Sequence, residues 1–368
     1  MPDIGTAVVR CLVPDLPSAD AILPYLRRID AARWYTNFGP LAVEFEQHAA
    51  SIAGGDAPAH CVALSSGTTA LACALGALGL PAGSRVLVPA FTFPATALAV
   101  LHAGHVPVLG DVSSDHWTLT PDTAAPMVAK ARCRAVLPVA ALGRPIDVEG
   151  FDRLADATGI AVLIDGAGAL GVQPLGRAPV AFSLHATKPL GIGEGGLLAT
   201  RDAALAERVR RLANFGFTGN VITQRGGNAK LSEFAAAVGL AQLARAPHVL
   251  GRRDALWTRY RSRLATVDGV VMQSGFASRA PAMLAVRVAR GGAACAAALA
   301  AQGIESRRWY CPPLHRQPAL ADLPVAGELL VTDTLDAEVV GLPFHAFLID
   351  ADLDRVAVAL RTAIEQAR

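Results

Sequence analysis

The stretch "SLHATKPLGIGEGG" at 183–196 holds the residues whose types and spacing are most suggestive of chemistry. Gly191, Gly193 and Gly196 spell G-x-G-x-x-G. In a dinucleotide site that turn opens a helix directly after a strand, with an acidic residue about twenty positions further on. Here the glycines lead into "LLATRD", which reads as another strand, so the fingerprint fails on context. Lys188 is the second candidate. It stands near Ser183 and Thr187, in a loop with no further charge until Glu194. A lysine with weak solvation and few counter-ions has its ammonium disfavoured, and a neutral amine is what Schiff-base formation needs. The competing reading is a solvated surface lysine.

Three other places carry matching chemistry. In "SSGTTAL" a glycine-containing turn runs directly into a helix, with the hydroxyls of Ser66, Thr68 and Thr69 beside it. Free amides and the positive end of a helix dipole suit a phosphate. The same residues also write an ordinary helix N-cap. Asp165 ends the apolar run "AVLID" and is followed by "GAGALG", with no cation nearby in sequence. A carboxylate there is costly to bury without a partner. A backbone turn or a protonated ring nitrogen would serve, and a metal is disfavoured because no second carboxylate or histidine lies at ligand spacing. Phe91-Thr92-Phe93 adds a flat side chain. An anion cradle, a carboxylate for a ring nitrogen, an aromatic partner and a lysine amine together meet the needs of pyridoxal 5'-phosphate (PLP).

These residues follow a regular series of elements. Apolar, β-rich runs recur at 61–65, 85–90, 106–112, 135–140, 161–165 and 180–185, with helix-like stretches between most of them. Strands alternating with helices imply an α/β fold with a mostly parallel central sheet covered by helices. Near-continuous apolar strands are what burial on both faces requires. Ligands bind beyond the carboxyl ends of such strands, where all four places above fall. The pattern turns helical at 203–214 and 230–265. Two strand-like runs and two helices then follow, read as a smaller C-terminal α+β domain. The expected division is 1–250 for the N-terminal segment and large domain, and 251–368 for the small one. The first forty residues carry little periodic signal.

At 52% hydrophobic and 17% charged, the composition is that of a globular chain. Net charge is +2 with no basic block, so no nucleic-acid partner is indicated. Apolar windows such as 71–80 are too short to span a bilayer, and the N-terminus lacks a signal-peptide pattern. The six cysteines show no C-x-x-C, which suits free thiols in the cytoplasm.

In order along nearly the whole chain, the sequence resembles the DegT/StrS-type sugar aminotransferases, fold-type I PLP enzymes. The resemblance lies in "TNFGPLAVEFE", "SSGTTAL", "VPAFTFPATALAVLHAG", "LGRPIDVEGF", "LIDGAGALG", "FSLHATKPLGIGEGG", "GGNAKLSEFAAAVGLAQL", "CPPLHRQPAL" and "VVGLPFH". It implies that Lys188 carries the internal aldimine and shuttles a proton, and that Asp165 keeps the pyridine nitrogen protonated. Phe93 would stack on the ring, and Gly67, Thr68, Thr69 and Ser183 would bind the phosphate. Asn228 would reach the phosphate of a neighbouring subunit, which implies a homodimer with shared active sites. Lys230 stands where many relatives have arginine. Tyr35, Asn37, His185 and His315 are candidates for substrate contact. The implied reaction moves an amino group from L-glutamate to a keto-sugar, a nucleotide-linked 4-keto-6-deoxy sugar. A sugar dehydratase or an inactive paralogue on the same scaffold is the alternative. Gly168 stands where the family has Gln or His, Ala140 to Gly143 replace H-x-Y-G, and Phe215 replaces a histidine. Those departures remove polar groups expected near the cofactor and sugar.

Overall fold

The computed structural model describes residues 8–276, 279–289 and 291–366. Two helices, α1 (Ala19–Ala32) and α2 (Pro40–Gly54), precede the alternating region. That region runs β1 (His60–Leu64), α3 (Gly67–Ala77), β2 (Arg85–Pro89), α4 (Ala95–His102), β3 (Val106–Gly110), α5 (Pro121–Ala131) and β4 (Ala135–Val136). It continues with α6 (Val148–Thr158), β5 (Ala161–Val162), β6 (Ile164–Asp165), β7 (Val180–Ser183), β8 (Gly196–Thr200) and α7 (Ala203–Ala213).

The strands pair in the orders β3-β2-β4-β5 and β6-β7-β8-β1. Only Leu163 separates β5 from β6, and its amide donates to the Val136 carbonyl, as that of Asp165 donates to Pro138. The two groups are therefore one continuous sheet. It is parallel from β3 through β7, with β8 antiparallel to both β7 and β1. Side chains alternate across it. Leu87 enters the core with Phe45 of α2, Phe151 of α6 and Leu240, whereas Val86 and Val88 face Leu71 of α3 and Val209 of α7. Two buried faces explain the unbroken apolar strands.

The first forty residues contain more than their pattern promises. Ile22, Tyr25, Leu26 and Ile29 recur at helical spacing along α1 and pack on the core, despite Pro24 within the helix. A distant carboxylate fixes the start of α2: Glu233 Oε2 and Oε1 accept from the amides of Leu41 and Ala42, each at 2.8 Å. A charge there complements the helix dipole.

A small exposed hairpin, β9 (Phe217–Thr218) with β10 (Val221–Ile222), follows α7. The helical run expected at 230–265 is two helices, α8 (Glu233–Ala244) and α9 (Ala246–Leu264). They break at Arg245, and Pro247 occupies the first turn of α9, where its missing N–H is harmless. Beyond lie β11 (Val270–Met272), β12 (Leu284–Val288), α10 (Gly292–Ala301), α11 (Leu330–Glu338), β13 (Val339–Leu342) and α12 (Asp350–Gln366). β11, β12 and β13 form an antiparallel sheet, and Tyr260, Leu299 and Leu360 share its separate apolar cluster. β13 has no counterpart among the expected strands, because four buried residues directly after a helix show no alternation. No helix among the described residues is long and apolar enough to cross a membrane.

Candidate active site

The carboxyl ends of β1, β6 and β7, with the loop after β2, enclose a cavity of about 460 Å³. Ser66, Gly67 and Thr68 line it at the start of α3, joined by Phe93, Asp165, Ser183, His185, Thr187 and Lys188. Close packing explains two of the glycines. A Cβ on Gly67 would lie 2.9 Å from the Ser183 Cβ, and one on Gly196 only 2.0 Å from the Ser66 carbonyl oxygen. Gly196 therefore serves to bring β8 against the turn.

The N-cap and anion-cradle readings of "SSGTTAL" divide by residue. Ser66 Oγ accepts from the Thr69 amide at 3.1 Å, and Thr69 Oγ1 accepts from the Ser66 amide at 3.0 Å, a reciprocal capping box. Thr69 Oγ1 also donates to the Ser66 carbonyl. Its hydroxyl is spent inside the cap, and Thr69 does not line the cavity, contrary to expectation. The amides of Gly67 and Thr68 have no partner among the described residues. They are the orphan donors of a helix start.

Asp165 is 5% exposed. Thr96 Oγ1 donates to its Oδ2 at 2.8 Å and the Ala167 amide to its Oδ1 at 3.1 Å. Burial nevertheless raises its pKa above the ordinary carboxylate value, with Thr96, Ala167 and the charge of Lys188 opposing the rise. Lys188 follows a turn in which its amide donates to the His185 carbonyl. Loss of water lowers the pKa of its amine, and Asp165 pulls it back. His185 sits at the rim, its Nδ1 2.9 Å from Thr187 Oγ1 and its Nε2 3.8 Å from Glu194.

The opposite side of the cavity comes from elsewhere in the chain: Leu12, Leu142, Met283, Trp309 and Tyr310. The amides of Ala282 and Met283 donate to the Leu142 carbonyl at 2.8 and 3.3 Å. Arg253 in turn donates to the carbonyls of Pro281 and Ala282, both at 2.8 Å. This docking answers the departure at Gly168. A Cβ there would lie 2.7 Å from that of Ala282, so Ala282 occupies the room a larger residue would need.

Several expected site residues lie outside the cavity. Tyr35 is exposed and stacks on Phe234, and Asn37 occupies a left-handed turn before α2. His315 Nε2 pairs with Asp333 at 2.9 Å. Asn228 is exposed and bridges to Asn214 by its backbone. Lys230 Nζ donates to Asn214 Oδ1 at 2.9 Å and lies 4.8 Å above the ring of Phe215, so two of the departures from the family pattern touch each other. Sequence reasoning missed Thr96, whose signal was a lone hydroxyl in the apolar "ATALAVLH" of α4. It also missed the apolar wall, which has no signature in residue type.

Comparison with known proteins identifies the family. The profile of the DegT/DnrJ/EryC1/StrS aminotransferase family matches residues 18–361. The chain is 34% identical over 354 residues to the dTDP-3-amino-3,4,6-trideoxy-alpha-D-glucose transaminase of Streptomyces venezuelae, covering 92% of this chain and 91% of that protein. DesI, solved in the presence of its TDP-sugar product, superposes with a TM-score of 0.87 at 32% identity, covering 99% of this chain and 96% of DesI. NtdA from Bacillus subtilis, with bound cofactor PMP, superposes with a TM-score of 0.84 at 25% identity, over 97% of this chain and 86% of its own. With its fold, its paired lysine and aspartate and these likenesses all in agreement, the chain belongs to the DegT/DnrJ/EryC1/StrS aminotransferase family and is a PLP-dependent aminotransferase.

Proposed function

We propose that this chain transfers the amino group of L-glutamate to a keto-sugar, a nucleotide-linked 4-keto-6-deoxy sugar, using PLP held in the cavity. The observation that carries the reading is the meeting of Lys188, Asp165 and the free amides of Gly67 and Thr68 around one space. These residues fit the cofactor: the amides suit its phosphate, Asp165 is bonded by a hydroxyl and an amide, and the Lys188 amine is desolvated. When bound, PLP supplies an aldehyde that captures amines and a ring that draws electrons from the reacting carbon.

The chain's own residues do the rest. Gly67 and Thr68 amides, at the positive end of α3, hold the phosphate with the hydroxyls of Ser66 and Ser183. Asp165, oriented by Thr96 and Ala167, keeps a proton on the ring nitrogen. Burial, which raises its pKa, gives it reason to accept a cationic partner. Phe93, which lines the cavity and is exposed, would cover one face of the ring. Lys188 Nζ takes the proton from the donor's α-carbon and later returns one to the acceptor's former carbonyl carbon, for which a lowered pKa suits it. Asn228, exposed and outside its own chain's cavity, would complete the phosphate site of a second copy, making a homodimer.

The nucleotide-linked acceptor is supported by the relatives named above, one a dTDP-amino-sugar transaminase and the other solved in the presence of its TDP-sugar product. The test is a visible spectrum of the protein loaded with PLP, followed by L-glutamate in the same cuvette. Loss of the visible band and release of 2-oxoglutarate are expected. A band that ignores glutamate removes the proposed donor, and no band at all removes the cofactor assignment.

A further inference from the structure

Lys188 also borders a second, much smaller space, an enclosed chamber of about 20 Å³. Leu12, Thr187 and Lys188 line both it and the large cavity, so these three residues are the partition between them. Two charged side chains reach the chamber from distant parts of the chain, Asp15 before α1 and Arg253 of α9. The Asp15 side chain is 13% exposed and Arg253 is 8% exposed. Asp15 Oδ1 accepts from Arg245 Nη2 at 2.7 Å, whereas its Oδ2 is buried without a partner among the described residues. Arg253 Nη2 donates to the Pro281 and Ala282 carbonyls and its guanidinium lies 4.9 Å from the centre of the Phe344 ring. Among the described residues no carboxylate is in direct contact with it. Burial pushes its pKa down to about 10, with the charges of Asp254 and Asp15 opposing. Asp15 is thus close enough to be felt by Arg253 but is not bonded to it.

A carboxylate oxygen buried without a partner is costly. One water needs about 10–15 Å³ of such space and at least two polar partners, and the chamber supplies both. Resting on the reading of Lys188 as the reactive amine, we infer that an ordered water in the chamber joins Asp15 Oδ2 to the Arg253 guanidinium. This bridge latches residues 12–15 as a strap behind Lys188, and Asp15 is a positioning residue for that amine. The Asp15 carbonyl fastens the strap again, accepting from Gln242 Nε2 at 2.9 Å. Lys188 owes its lowered pKa first to loss of water. A strap held shut preserves that loss, and a loose one admits solvent through the partition. Around the amine stand Asp165 of β6, His185 and Glu194 of its own loop and Tyr310 from the far wall, with Asp15 and Arg253 beyond the partition. Of these charges, that of Asp165 is the one that acts on the amine. Removing the charge of Asp15 therefore reaches Lys188 through water, and the shift is upward.

The test follows Lys188 in cofactor-free protein, by trace acylation with acetic anhydride across pH and mass spectrometry of the peptide that carries it. The midpoint of labelling reports the amine's pKa, whereas exposure alters only the plateau. Asp15→Asn, which keeps the side chain's shape, is expected to raise the midpoint by about 1 pH unit. Leu12→Ala, which opens the partition and leaves the bridging groups in place, is expected to raise it as well. In PLP-loaded protein given glutamate, the rising limb of the pH–rate profile for loss of the visible band should move to higher pH in both variants. A crystal structure of the parent should show one ordered water within hydrogen-bond distance of Asp15 Oδ2 and Arg253. A merely structural aspartate would lower the yield of folded protein and leave the midpoint in place. An unchanged or lowered midpoint in Asp15→Asn, or no water in the chamber, overturns the inference. Where circular dichroism shows Asp15→Asn unfolded, the midpoint of Leu12→Ala decides in the same way. A parent band that ignores glutamate removes the aminotransferase reading, while the labelling midpoints still decide the latch.

Discussion

The two sides of the cavity are built differently. The polar floor is assembled from strand ends held mostly by close neighbours in sequence, Ser66 with Thr69, Lys188 with His185 and Asp165 with Ala167, the exception being the Thr96 hydroxyl on Asp165. The apolar wall joins segments far apart, with Leu142 docked on Ala282 and Arg253 bracing Pro281. Chemistry held by local turns survives small movements of distant elements. A wall made by docking changes shape whenever a distant element shifts. The floor should therefore govern whether amino transfer occurs, and the wall which ketone receives the group.

The largest effect expected tests the floor. Lys188→Ala should lower amino transfer about 10⁴-fold with every acceptor, measured in single turnovers. An acceptor that escapes this loss would break the division. Asp165→Asn comes next, at about 10²–10³-fold. The same change should stabilise the cofactor-free protein. Burial raises the pKa of Asp165, so at acid pH the carboxyl is neutral in both folded and unfolded chains and costs nothing. As pH rises from the ordinary carboxylate value through the raised one, the unfolded chain loses the proton first, and the folded state carries a growing penalty that then stays constant. Calorimetry at neutral pH should show a higher Tm for the variant, and at strongly acid pH no gain. A gain of equal size at both would remove the electrostatic explanation.

Thr96→Val should act more gently, through Asp165. Without the hydroxyl on Oδ2, the aspartate's pKa rises further, and the acid limb of the pH–rate profile should move to higher pH with a loss of about 3–10-fold. Thr96→Ser should restore both, whereas a merely structural threonine would leave the profile's position alone. The smallest effect belongs to Thr69→Val. It should cost about 1 kcal/mol of stability in urea unfolding through loss of the cap, while the glutamate half-reaction stays near the parent rate. A large loss of rate would return Thr69 to the phosphate site.

This contrast also explains what was legible in the sequence. Strands buried on both faces write continuous apolar runs, so β1 to β3, the Ala161–Asp165 line and β7 stand out, and their carboxyl ends name Gly67, Asp165 and Lys188. β13 and α1 do not, one running on directly from a helix and the other interrupted by Pro24. Residue type announces a polar atom but not where it points. That is why Thr69 and His315, whose hydroxyl and Nε2 find partners in a cap and in Asp333, were expected in the cavity. The wall was invisible for the opposite reason: Leu142 and Met283 look like any core residues, and only long-range contacts bring them to the cavity that Lys188 also lines.

The cap that Glu233 places on α2 bears on the order of synthesis. Its acceptors serve Leu41 and Ala42, 192 and 191 residues earlier. At ribosomal rates of about 5–20 residues per second, roughly 10–40 s pass between the emergence of that helix and of its cap. β1 likewise waits for β8 before its backbone is paired. Through that interval Leu41 and Phe45 have no finished core to enter, so the nascent N-terminal third is the part of this protein that most needs a chaperone's shelter.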